Sequence, residues 1–243
     1  MKISPKIIFA LKSNNSNMKK HFYLIFLSLF LFGSTQAQVI LSEDFESGSF
    51  PAGWALESNA LDGGWSVTEP SNLAGQFWSV QDNGSQRVAG TSDSKCDCDK
   101  SADHLILPAL DFSNVSGGVL RFDSYFSAGI FGINAEEATV EASTDGTNWT
   151  EIYEVPGAGG WPTRTVDLDQ FSGESVLTLR FRYSDDDGHV FGFAIDNVWI
   201  GVPAQLDASM NQLTEIPFAE EGTELTLRGN IKSQGVTTIN SVE

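Results

Sequence analysis

Basic residues are scarce in this chain. Its 243 residues include 14 Lys and Arg against 32 Asp and Glu, a formal charge of −18. Such a surface repels nucleic acid and anionic membrane, and it offers no basic stripe for phosphate contacts. Cysteine is nearly absent too: Cys96 and Cys98 are the only pair, one residue apart. Two such neighbours do not staple a core of this size, so hydrophobic burial must hold the fold. They can close a small disulfide, pair with another molecule, or join His104 in a Cys-x-Cys-x5-His zinc pattern that lacks a fourth ligand. Histidine is equally sparse, with His104 and His189 alone after residue 37. No Gly-x-Ser-x-Gly elbow, His-Glu-x-x-His helix or phosphate-cradling glycine loop occurs. A glycosidase-like pair of carboxylates is compatible with the composition. The acids gather in loops that read as structural, however, and the chain reads as non-catalytic.

Long apolar runs are missing except for Phe22 to Phe32, which is too short to span a bilayer. It follows Met18-Lys19-Lys20 and precedes the small residues Thr35 and Ala37, a signal-peptide pattern with cleavage before Gln38. Residues 1–17 read as an upstream extension, so 1–37 is extension plus leader and the mature protein is secreted or displayed at the cell surface. The leader holds five Lys and no acid, leaving nine basic residues against 32 acidic ones, a formal charge of about −23.

Helical periodicity is lacking after the leader, and what is present is β. Strands are expected at Val39 to Phe45, Gln76 to Asp82, Val119 to Phe126, Ala138 to Thr144 and Trp149 to Val155. Thr163 to Leu168, Val176 to Ser184 and Val190 to Ile200 complete the set, at the spacing of a sandwich or barrel. Leu120 to Asp123 and Thr178 to Tyr183 alternate apolar with polar, which buries one face. Asp145-Gly146 marks a hairpin turn. The polar stretch from Gln81 to Asp103 reads as a surface excursion, and Asp185-Asp186-Asp187-Gly188 as a solvated acidic turn. At Gly201-Val202-Pro203 the composition shifts. Strands at Glu224 to Lys232 and Thr237 to Val242 then suggest the start of a second β-domain in 203–243, too short to bury its own core.

The acidic pair Asp196-Asn197 interrupts an otherwise apolar strand. A buried carboxylate needs a cation, a hydrogen-bond network or solvent, and a hard cation with oxygen ligands is the favoured reading. Trp161 and Phe131 sit in loops and are the candidate ligand contacts, since exposed rings stack on sugars or anchor proteins. Trp54, Trp65, Trp78, Trp149 and Trp199 lie in strand-like runs and read as core.

Four motifs in order resemble the cleaved-adhesin or choice-of-anchor J family, relatives of MAM domains. They are Asp44-Phe45-Glu46 with Phe50 to Trp54, then Ser101 to Pro108, then Ala142 to Trp149, and finally Phe193 to Val198. Together they cover residues 41–201. The resemblance implies an all-β, jelly-roll β-sandwich over 38–202, similar to gingipain adhesin domains, followed by the start of an Ig-like β-domain. It also implies structural calcium, with Glu46, Asp103 and Asp196 as the matching residues and Asp44 adjacent. A jelly roll brings its first and last strands together, so Glu46 and Asp196 are expected to share one ion.

These readings point to a secreted adhesin-like module that binds an extracellular glycan or a host or matrix protein, with no nucleic acid and no membrane insertion once the leader is cleaved. The second reading, from another class, is a non-catalytic accessory domain of a larger secreted hydrolase, most plainly a peptidase.

Overall fold

The computed structural model describes residues 37–204, 208–213 and 229–233. The leader reading on residues 1–36 lies outside them. Strands of alternating apolar and polar residues build two antiparallel sheets between Gln38 and Val202. The strands of this unit are β1 (Gln38–Glu43), β2 (Ala55–Glu57), β3 (Ser66–Thr68), β4 (Val88–Ser92), β5 (Asp103–Ile106), β6 (Val119–Phe126), β7 (Ile130–Phe131), β8 (Asn134–Ala135), β9 (Glu137–Ser143), β10 (Thr150–Glu154), β11 (Thr163–Asp167), β12 (Thr178–Ser184) and β13 (Gly192–Val202). Its α-helix, α1 (Asp93–Cys96), is a single turn.

The first sheet runs β11-β6-β13-β4-β3, and β1 also pairs with β13. Strand β13 holds β6 along one edge. Its Gly192–Ile195 half pairs with β4, and its Val198–Val202 half with β1. The second sheet runs β10-β9-β12-β5-β2. Aromatic rings lock the two faces together: Phe181 of β12 lies 4.9 Å edge-on to Phe122 of β6 and 6.4 Å from Phe193 of β13. Trp65 closes on Phe193 at 5.3 Å. Each such pair adds about 0.5–1.5 kcal/mol beyond the area it buries. The chain is therefore a jelly-roll β-sandwich. A separate pair, β14 (Ala208–Leu213) with β15 (Gly229–Ser233), lies beyond Val202. Gly229–Ser233 pairs with the preceding Ala208–Leu213, and the expected strand at 237–242 lies outside the described residues.

Several expectations change. Gln76 to Asp82 is irregular, because the N–H groups of Phe77 and Trp78 donate to the Ser94 hydroxyl (2.7 and 3.0 Å) rather than to a ladder. The stretch 81–103 is not a surface excursion, since it contributes the fully buried strand β4. Its small residues admit close neighbours: a Cβ on Gly90 would stand 2.4 Å from Leu73. Segment 69–87 covers the outer face of the first sheet there, with Leu73, Trp78, Val80, Val88, Tyr125 and Ala194 forming a second small core. Trp65 and Trp78 are buried as expected, and Trp54 packs part-buried against Phe45. Trp149 and Trp199 are not core. They lie half-exposed on the outer faces, beneath the guanidinium groups of Arg180 (4.2 Å) and Arg121 (5.6 Å).

Candidate functional site

Strand β13 explains the acidic pair in its middle. Ile195 and Val198 both face the inter-sheet core although three residues apart, so one extra residue must be accommodated between them. It is a β-bulge: the register with β6 shifts between Asp196 and Trp199, and Asn197 takes the left-handed backbone at φ +51°. Asn tolerates that conformation better than most residues. Asp196 is completely buried. Its carboxylate accepts Asn83 Nδ2 at 2.7 Å, the Asn197 N–H at 2.8 Å and a hydrogen bond from the Ser85 side chain. Burial pushes its pKa above the ordinary value, with Asp123, its cross-strand neighbour, raising it further.

Glu46 reaches the same loop. Its Oε1 accepts the backbone N–H groups of Gln86 (2.8 Å) and Arg87 (3.4 Å). Asp44 stands beside it, accepting the Glu46 N–H at 3.2 Å. The first and last strands are paired, with Glu43 opposite Val198. Glu46 and Asp196 thus both bond to segment 83–87, Glu46 through the Gln86 and Arg87 N–H groups and Asp196 through the Asn83 and Ser85 side chains.

Asp103 belongs elsewhere. Fully buried in β5, it accepts the hydroxyls of Ser58 and Thr91 (2.6 Å for Thr91) and the Lys100 ammonium at 3.2 Å. Lys100 is itself fully buried and also holds both oxygens of Asp62, at 2.8 and 3.0 Å. The Asp103 network shares no partner with that of Asp196.

A third acidic cluster was misjudged from sequence. Asp185 is not a solvated turn residue: it is buried, its carboxylate accepting the N–H groups of Lys100 (3.0 Å) and Asp187 (3.2 Å). Asp93 is buried as well and accepts the Val190 N–H at 2.6 Å. Desolvation raises the pKa of both. With Asp97, Asp99, Asp187 and His189 they line a hollow of about 240 Å³. The sequence signal for Asp185 was the acid run itself, whereas Asp93 carried none. Glu136, also missed, is buried and accepts Gly129 N–H (2.6 Å) and Tyr183 O–H (2.8 Å), which anchors the β7–β8 hairpin.

The candidate ligand contacts separate. Trp161 folds back part-way: its indole N–H donates to the Gln81 carbonyl at 2.7 Å and its ring rests 5.5 Å from Tyr125, half-buried. Phe131 lies in β7 opposite Asn134, and its side chain is outside the described ones. Its neighbour Ile130 is 73% exposed, and Phe77, which the sequence did not single out, is 51% exposed. These two, with His189, Val190 and Phe191, line an apolar hollow of about 210 Å³. His189 sits edge-on to Phe77 at 5.0 Å, with Nδ1 3.3 Å from Asp97.

Cys96 and Cys98 are joined by a disulfide, Cα atoms 5.2 Å apart. His104 is not their partner. It faces Glu57 (3.6 Å) and Arg180 (3.4 Å), and burial and the arginine charge lower its pKa. Among the described residues, the metal-ligating side chains that converge in a group of three are Asp62, Cys96 and Cys98.

No protein-family model and no curated protein matches the chain. Among solved structures it resembles the K1 cleaved adhesin domain of Lys-gingipain from Porphyromonas gingivalis W83, at 23% identity over 67% of this chain and 97% of that one, with a TM-score of 0.47. The K3 cleaved adhesin domain of the same protein matches at 22% identity over 68% and 99%, TM-score 0.48. The CBM22-1 xylan-binding domain of Paenibacillus barcinonensis Xyn10C matches at 13% identity over 68% and 95%, TM-score 0.43.

Proposed function

We propose that residues 38–202 form a secreted adhesin-like module that binds an extracellular carbohydrate or protein and is stabilised by one structural calcium ion. The observation that carries the binding reading is the exposed apolar hollow. Large apolar side chains on a strongly acidic surface cost solvation unless something covers them, and Phe77 and Ile130 stand open beside the β7–β8 hairpin that also bears Phe131. A ring face such as Phe77 suits the apolar face of a sugar or an apolar side chain of a protein.

Calcium is supported by Asp196. A fully buried carboxylate raised by desolvation, with Glu46 bonded to the same loop, is an anchor that a hard cation would neutralise. Those residues would hold it, with Asp44 adjacent, and it would tie segment 83–87 to β13. Asp103 is left out of this set, since Lys100 already meets its charge.

The test is affinity electrophoresis against a polysaccharide panel and immobilised matrix proteins, in calcium and in chelator, with Phe77→Ala and Asp196→Ala. Retention lost in Phe77→Ala, and a thermal midpoint that falls on chelation in the wild type but not in Asp196→Ala, are the expected results. A wild type retarded by nothing would end the binding reading. A midpoint indifferent to calcium would end the metal reading.

A further inference from the structure

The Cys96–Cys98 disulfide has no part in the function above, yet it sits in a built setting. Ser92 caps α1, its hydroxyl accepting the Lys95 N–H at 3.2 Å. Asp97 then reverses the chain at φ +48°, its N–H donating to the Asp93 carbonyl at 2.8 Å. The reversal turns both cysteines to one side. There they meet Asp62, held in the Asp62-Gly63-Gly64 turn by the Gly64 N–H at 3.0 Å. The two sulfurs and a carboxylate oxygen lie within 4.8 Å of one another.

We propose that, once this disulfide is reduced, Cys96, Cys98 and Asp62 bind one zinc-class divalent cation. A disulfide enclosing a single residue gains the least from loop closure, and both cysteines are half-buried rather than sealed in the core. Half-open bridges of this kind are the ones thiols reach. A dithiol reductant supplies the two electrons. Its thiolate attacks one cysteine sulfur and breaks the bridge, its second thiol closes the reductant's own disulfide, and two cysteine thiols remain. The cation then displaces their protons to solvent.

Two thiolates with one carboxylate are soft enough to select zinc over calcium. Three ligands of this spacing fit a tetrahedral ion at about 2.3 Å to sulfur and about 2.0–2.2 Å to oxygen, with water in the fourth position. Three anionic ligands exceed the charge of a divalent ion by one, and the Lys100 ammonium on Asp62 offsets that excess. Asp62 and Cys96 also line a cavity of about 290 Å³ that gives the reductant and the ion a way in.

The experiment is an anaerobic titration of the full chain with Co(II), then Zn(II), after reduction with dithiothreitol and its removal. The reduced wild type is expected to bind one Co(II) with thiolate-to-metal absorption, which Zn(II) then displaces. The oxidised chain and the Cys96→Ser/Cys98→Ser variant should show none, and Asp62→Asn should bind about tenfold more weakly or worse. Circular dichroism follows folding throughout. Four results would each overturn the proposal: no stoichiometric uptake on reduction, equal uptake by the serine variant, undiminished affinity in Asp62→Asn, or unfolding on reduction.

Discussion

Replacing Lys100 by methionine keeps the apolar stem and removes the ammonium, and the structure says which loss dominates. Three hydrogen bonds vanish, at 2.8 and 3.0 Å to Asp62 and 3.2 Å to Asp103. The Asp62 side chain is 39% exposed, so water replaces the ammonium and that half costs no more than a surface pair, about 0–1 kcal/mol. Asp103 is sealed, and it keeps only the Ser58 and Thr91 hydroxyls and an uncompensated charge. Stripping one partner from a buried pair costs about 3–5 kcal/mol. For a domain of this size each kcal/mol moves the midpoint by about 2–4 °C, so Lys100→Met should melt about 6–20 °C lower. Urea titration followed by fluorescence and circular dichroism gives the free energy. Lys100→Met/Asp103→Asn should recover at least half of the loss, because the neutral amide no longer needs a counter-charge. A loss below about 1 kcal/mol, or no recovery in the double variant, would refute the reasoning.

Two further outcomes follow from β13. Burial raises the pKa of Asp196, so the folded chain keeps a proton there that the unfolded chain releases. Without calcium, stability should therefore fall as pH rises from about 4 through that raised value. Asp93, Asp185 and Glu136 act in the same direction. Thermal melts across this range should show a shallower slope in Asp196→Asn, and an unchanged slope would contradict the burial argument. At the bulge, Asn197→Val should cost about 1–2 kcal/mol for the left-handed backbone, and Asn197→Gly distinctly less. Equal losses on denaturant titration would instead place the cost in the Asn197–Asp123 hydrogen bond.

The strands that alternate were legible, and those that do not were not. Val119–Phe126 matches its expectation residue for residue because positions 119 to 123 alternate, the odd ones half-exposed and the even ones buried. Strand β4 escaped because Val88–Ser92 is buried on both faces among small residues, so it shows neither alternation nor bulk. Gln76 to Asp82 misled in the opposite sense: its aromatic content reads as strand, yet its backbone donors go to Ser94, a partner that only tertiary structure supplies. At the site, Asp196 announced itself as a carboxylate among apolar neighbours. Asp103 looked equivalent until Lys100 was seen beneath it, a pairing three residues apart whose burial no spacing rule reveals.

Strand β13 is the middle of the first sheet and the last strand of the sandwich. Strands β1, β4 and β6 each wait for it, and β1 waits longest, with Gln38 pairing to Val202. A ribosome making this chain delivers the keystone after everything it holds, so the first sheet has no centre until residue 202 is free. Pairings this distant in sequence form slowly. The first sheet thus closes only once β13 has been made, and a chain stopped short of Gly192 has nothing to close upon.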